Sequence, residues 1–188
     1  MQVSGMPKPT LVLVSGPPGS GKTTLAHAIG ARVPCPVICR DEIKEGIVHA
    51  AGGERGEWGG PVSQRTFRTF YAVIGLLLEA GVTHIAEAAF QRALSTDDLR
   101  QFTELASVRI IHCAAAPAVA RERIVRRNID DSTRYVAHPD DELLAALDSG
   151  RMTFDVFDPP ALDVPVLHVD TTDGYHPTPG DIVAFING

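Results

Sequence analysis

The sequence holds a single tryptophan, Trp58, three cysteines and no apolar run of membrane-spanning length. Each scarcity excludes something. Cys35, Cys39 and Cys113 are odd in number, form no C-x-x-C pair and have no histidine at a metal-like spacing, so neither a disulfide framework nor a cysteine-based metal site is expected. Two of the three lie in apolar runs that read as strands, which predicts buried, reduced thiols. The apolar stretch Val73 to Leu78 is broken by Glu79 and Gly81, whereas a membrane helix needs about 20 apolar residues. Met1 to Pro9 has no long apolar core and no cleavage-like pattern, so a cytoplasmic protein with no membrane partner is expected. Positive charge is also short, with 17 Lys and Arg against 23 Asp and Glu and a net charge of −6. That balance disfavours a long nucleic-acid track but leaves room for a local basic pocket. Internal repeats and low-complexity tracts are absent.

What is present fits one domain over residues 1–188, with 44% hydrophobic and 21% charged residues and a small mobile insertion. Five short apolar runs read as strands: Leu11–Val14, Val37–Cys39, Val82–Ala86, Val108–Cys113 and Val166–Asp170. Helical signals alternate with them. Phe67, Phe70, Ile74, Leu77 and Leu78 give one apolar face between Val62 and Ala80. Ser95-Thr96-Asp97-Asp98 reads as the start of a helix running to about Ala106, and Pro117 as the first turn of another through Arg127. Asn128 to Asp141 is polar and poor in core residues, as an exposed or mobile segment would be, and Glu142–Asp148 and Thr178–Asn187 read as further helices. The alternation predicts an α/β fold, a five-stranded parallel sheet with helices on both faces, whose ligands bind beyond the carboxyl ends of the strands.

The most specific stretch is Gly16-Pro17-Pro18-Gly19-Ser20-Gly21-Lys22-Thr23-Thr24. It fits G-x-x-x-x-G-K-[ST] at every fixed position, after a strand and before a helix. Glycines let successive backbone N–H groups turn inward around an anion, and the helix N-terminus adds partial positive charge. Lys22 is expected on the β- and γ-phosphates of ATP, the Thr23 hydroxyl on Mg²⁺, and Thr24 near the α-phosphate.

Phosphoryl transfer also needs a group that orients the nucleophile and cations that hold the transferring group. Asp41, after the second strand and at or near a helix cap, is placed to accept a hydroxyl proton. Glu87 ends the third strand among small residues, where it serves either the Mg²⁺ shell or substrate hydroxyls. Arg123 and Arg127 share one helix face. They read as cations of a lid over about residues 121–141, Arg123 toward the nucleotide and Arg127 toward the transferring phosphoryl, with Arg134 a further lid candidate. Arg121 reads as a solvated surface residue. Arg92 and the Trp58 loop are placed at the acceptor, and Asp170 near adenine by its strand-end position.

The phosphate loop, the segment Cys39-Arg40-Asp41-Glu42-Ile43-Lys44 and the run Arg123 to Asn128 together resemble the small AAA-type ATP-binding kinases. That group includes bacteriophage-type polynucleotide 5′-kinase, chloramphenicol phosphotransferase and zeta-toxin-like kinases. The resemblance implies a P-loop NTPase three-layer sandwich with a small helical lid, ATP and Mg²⁺ as cofactors, and Asp41 as general base. Polynucleotide kinases of this group carry Arg-Asp-x-x-Arg, whose last residue holds a substrate phosphate. Here Lys44 takes that place without the bidentate fork of arginine, which weighs against nucleic acid. No Asn-Lys-x-Asp guanine motif is present and no Asp-x-x-Gly switch follows a strand, which argues against a GTPase. The expectation is an ATP-dependent phosphotransferase acting on the hydroxyl of a small molecule: an antibiotic, a nucleoside or a sugar-like compound. A polynucleotide 5′-hydroxyl kinase and a non-catalytic ATP-gated binding protein are the alternatives. Oligomeric state and the identity of the acceptor are left open.

Overall fold

The structure is a computed structural model that describes residues 7–52, 60–130, 132–138 and 140–188. Trp58 lies outside them. The strands are β1 (Thr10–Ser15), β2 (Val37–Cys39), β3 (His84–Glu87), β4 (Ser107–Ala114) and β5 (Val166–Asp170). The helices are α1 (Lys22–Arg32), α2 (Arg40–Ala50), α3 (Pro61–Glu79), α4 (Arg92–Arg100), α5 (Phe102–Leu105), α6 (Pro117–Asp130), α7 (Ser132–Ala137), α8 (Asp140–Asp148) and α9 (Pro179–Asn187). A 3₁₀ turn spans Phe154–Phe157.

Strict alternation along β1 builds the layers. Leu11 and Leu13 point to one face of the sheet and Val12 and Val14 to the other, as side chains of a strand must. The first pair joins Phe70, Ile74, Phe90, Leu99 and Phe102 under α3, α4 and α5. The second joins Leu25, Ile29, Ile182 and Ile186 under α1 and α9. Phe70 is fully buried, and truncating such a side chain to alanine typically costs about 3–5 kcal/mol.

All five strands are parallel, in the order β2-β3-β1-β4-β5. The chain leaves β1 in both directions, so the strand order reverses beside it and opens a crevice at the carboxyl rim. The register aligns that rim. Val14 pairs with Glu87 and Cys39 also pairs with Glu87, so the strand ends before the phosphate loop, Asp41 and residue 88 lie at one level.

Four local expectations change. The third strand begins at His84, because Val82 N–H instead closes α3 by bonding Leu77 C=O at 2.8 Å. Ser95 does not start a helix: α4 begins three residues earlier, and the buried Ser95 hydroxyl accepts a bond from Gln91 N–H at 3.2 Å. The same helix ends at Arg100, with the separate turn α5 following. The polar stretch from Asn128 to Asp141 is largely helical, and Ala137, His138 and Asp140 within it are buried. Its polar residues bury because they meet charged partners on α2 and α6, which local composition does not reveal.

Candidate active site

The loop between β1 and α1 is set by its glycines. Gly16 and Gly19 have φ of 143° and 77°, and a Cβ would run into the backbone carbonyl of Cys113 at the first and of Ala120 at the second. Only glycine allows both the turn and the close approach. Thr171, just after β5, holds the loop from the other side: its hydroxyl donates to Ser20 C=O at 2.6 Å. Arg123 of α6 adds a clamp, donating to Gly19 C=O at 3.4 Å and to Thr171 C=O at 2.7 Å. It therefore stitches three segments together through backbone carbonyls.

This cradle suits a polyphosphate on the structure's own terms. Lys22, at the start of α1, is 7% exposed, and its ammonium meets Glu87 at 3.7 Å. The buried hydroxyl of Ser20 has no hydrogen-bond partner among the described residues. Glu87 is likewise buried, with one carboxylate oxygen unpartnered. Burial raises its carboxyl, Lys22 lowers it and the Asp41 charge raises it again, for a net upward shift. Thr23 and Cys39 hydrogen-bond to it. An ATP phosphate chain would be held by the loop, Lys22 and Thr23, and a hydrated Mg²⁺ by Thr23 with Glu87 behind it.

Asp41 stands in the first turn of α2 as its second residue, two positions after the cap. Cys39 occupies the cap position and no side chain caps the helix. The carboxylate turns instead to cations. Arg40 donates to one oxygen at 2.6 Å and Arg134 to the other at 3.0 Å, with His138 Nδ1 3.9 Å away. Burial by itself would raise this carboxyl, but His138, Arg40, Arg134 and Lys22 together hold it well below the usual carboxylate range. Arg134 reaches Glu45 as well, at 2.5 Å. The bond to Asp41 spans 93 residues of sequence.

Between the loop and α2 lies a cavity of about 650 Å³. Pro18 and Lys22 line its phosphate-loop end and Asp41, Lys44, Arg127 and Arg134 its walls, while Phe67 and Tyr71 give it an apolar side. Lys44 is 4% exposed, and burial followed by the nearby Arg40 charge pushes its ammonium pKa down. Arg127 pairs with the buried Asp140 at 2.8 Å. The structure thus brings Lys22, Asp41, Lys44, Arg127 and Arg134 to one cavity, with Glu87 behind Lys22.

Other candidates fall elsewhere. Arg92 sits outside this cavity, half exposed and 3.6 Å from Asp158. Asp170 is turned into its own loop, accepting Thr172 N–H at 2.8 Å. Thr24 is exposed. Arg121 is at the surface, as expected, paired with Asp148. Sequence reading passed over Arg40, which adjoins Asp41 and stacks 4.6 Å over the Phe67 ring. It also missed the apolar wall of Phe67 and Tyr71. Phe67 belongs to the helix face that periodicity assigned wholly to the core, and Tyr71, one position beyond Phe70, was not singled out.

Residues 11–155 match the family described as AAA domain. The chain belongs to that family. Among solved structures, this AAA-domain chain is similar to a presumed kinase from Chloroflexus aurantiacus, at 28% identity over 96% of this chain and 97% of that one, with a TM-score of 0.83. It shares its fold with a gluconokinase from Sinorhizobium meliloti, at 20% identity over 97% and 94% of the two chains and TM-score 0.60. It also shares it with the APS kinase of Mycobacterium tuberculosis in complex with AMPPNP and APS, at 13% identity over 97% and 100% and TM-score 0.61. None of the curated proteins matches the chain. The sheet and loop are those of the P-loop NTPase α/β fold. Among the described residues no helix is long and apolar enough to cross a membrane.

Proposed function

We propose that the protein is an ATP- and Mg²⁺-dependent kinase that phosphorylates a hydroxyl of a small molecule. The observation that carries this reading is one cavity with the phosphate-loop lysine at one end and a cation-held aspartate on its wall. ATP supplies the γ-phosphoryl group, and Mg²⁺ offsets its charge. Asp41 orients the acceptor hydroxyl and takes its proton as the new P–O bond forms and the bond to the β-phosphate oxygen breaks, releasing ADP. Lys22 and Arg127 hold the negative charge that gathers on the transferring group. Residues 121–141 act as a lid within a single domain. Lys44 receives an anionic group of the acceptor, and the rings of Phe67 and Tyr71 hold its apolar part. The bounded cavity and the acidic molecule favour a compact acceptor over a polynucleotide.

The test is a screen of hydroxylated acceptors scored by ADP release above the background ATPase rate, followed by Asp41→Asn with the best acceptor. Turnover should fall by roughly 10²–10⁴ while nucleotide affinity is kept. Unchanged turnover in Asp41→Asn would end the role given to that residue, whereas nucleotide binding with no acceptor-dependent ADP release across the screen would replace the kinase by a nucleotide-gated binding protein. Strong transfer to a 5′-hydroxyl oligonucleotide, lost in Lys44→Ala, would move the acceptor class to nucleic acid.

A further inference from the structure

Behind the acceptor cavity lies a group of ligating side chains that the proposed reaction does not use. His27 on α1, Cys39 at the end of β2 and Glu42 in the first turn of α2 place an imidazole nitrogen, a sulfur and a carboxylate oxygen within 4.8 Å of one another. His27 Nε2 is 3.6 Å from Cys39 Sγ and 2.7 Å from Glu42 Oε1. Cys39 is 2% exposed, whereas the side chains of His27 and Glu42 are each 50% exposed. The set therefore has a buried floor and an open mouth. We propose that His27, Cys39 and Glu42 form a binding site for a thiophilic divalent cation such as Zn²⁺, separate from the magnesium position at the phosphate loop.

The donor chemistry selects the ion. Imidazole, thiolate and carboxylate are the three ligand types of zinc, while magnesium is held through oxygen alone. The spacing agrees. Bonds of about 2.3 Å to sulfur and about 2.0–2.1 Å to nitrogen at the tetrahedral angle put the two donors about 3.6 Å apart. The His27–Glu42 pair would have to open to about 3.3 Å, a small motion for two half-exposed side chains. Three protein ligands leave the fourth tetrahedral position to water.

The carboxylates of Glu87 and Glu42 lie against Cys39 and attract a cation. Burial first, then those carboxylates, raises the thiol, which keeps its proton until a metal displaces it. The ammonium of Lys22 is the one cation paired with Glu87 among the described residues. When the cation binds, the metal–sulfur bond replaces the S–H bond and the proton leaves to solvent, with no change of oxidation state. The thiol then no longer donates to Glu87. His27 lies four residues after Thr23 on α1 and shares its face, so the site sits one helical turn behind the residue placed on Mg²⁺.

Nucleotide itself binds metals, so the experiment uses chelator-stripped full-length protein without nucleotide. Zn²⁺ is titrated in against a chromophoric chelator, and Co²⁺ serves as the spectroscopic probe. The expected result is one Zn²⁺ per chain and a sulfur-to-cobalt charge-transfer band. His27→Ala and Glu42→Gln, both at half-exposed positions, should each weaken binding by roughly tenfold or more, and Cys39→Ser should abolish the band. Cys35→Ser should change neither. Wild-type affinity no greater than that of His27→Ala, or a cobalt adduct without the thiolate band, overturns the proposal.

Discussion

Asp41 is held by more positive charge than a carboxylate needs merely to stay ionised. Arg40 and Arg134 donate to one oxygen each, which leaves each oxygen a second lone pair for the acceptor hydroxyl of the proposed reaction. The position of Asp41 was legible in the sequence because a polar residue directly after a short apolar strand has to lie on the rim. Its partners were not, since Arg134 and His138 stand about ninety residues away and only the fold joins them. His112 offers a second test at this scale. Burial, then the neighbouring His168 charge, pushes its pKa down from 6.5 to about 4. Below pH 6.5 the unfolded chain takes up this proton while the folded one refuses it, so stability falls with falling pH until about pH 4. For this single group the loss is up to about 3 kcal/mol. His112→Gln should flatten that part of the curve in calorimetric melts at stepped pH. An unchanged slope would mean that other groups carry the acid limb.

At the scale of elements, helix α6 starts beside the phosphate loop and runs into the proposed lid. Its Ala120 carbonyl lies where a Cβ on Gly19 would be, and its Arg123 donates to Gly19 and to Thr171. Gly19→Ala therefore meets both a left-handed φ and a backbone collision that no rotamer relieves. Stability should drop by about 1–3 kcal/mol, and nucleotide affinity should fall with it as the loop is pushed off α6. Chemical denaturation and nucleotide titration of the variant check both parts. The elements themselves were read with uneven success, for physical reasons. Helix α9 was found at Thr178–Asn187 because its capping box is entirely local, with Thr178 and Asp181 bonding reciprocally. The start of α4 was missed because Ser95 satisfies Gln91 N–H from within the helix, so the same residue types appear one turn late. The stretch from Asn128 to Asp141 looked exposed because its burial rests on ion pairs such as Arg127–Asp140 and Arg134–Glu45 rather than on apolar residues.

In the molecule as a whole, the sheet converts a linear pattern into a site. Strand alternation and the helices between strands made a parallel, doubly covered sheet legible in the sequence. The order β2-β3-β1-β4-β5 was not, because neighbours in space are chosen by packing across two cores. The order matters, since placing β3 between β1 and β2 brings Glu87 beside Cys39 and beneath Lys22. Because the loop is anchored at Gly19, Ser20 and Thr171, a bound nucleotide should stabilise the entire fold. At a free concentration of 100 times Kd, a non-hydrolysable ATP analogue should add about 2.7 kcal/mol. Thermal melts should show that gain in the wild type and lose most of it in Lys22→Ala. A gain that survives in that variant would place the nucleotide elsewhere. The clasp of Arg134 on Asp41 carries one more consequence. A carboxylate already satisfied by two guanidiniums has little basicity to lend to a stray water molecule. In the proposed kinase, that low basicity would guard ATP against futile hydrolysis while no acceptor is there.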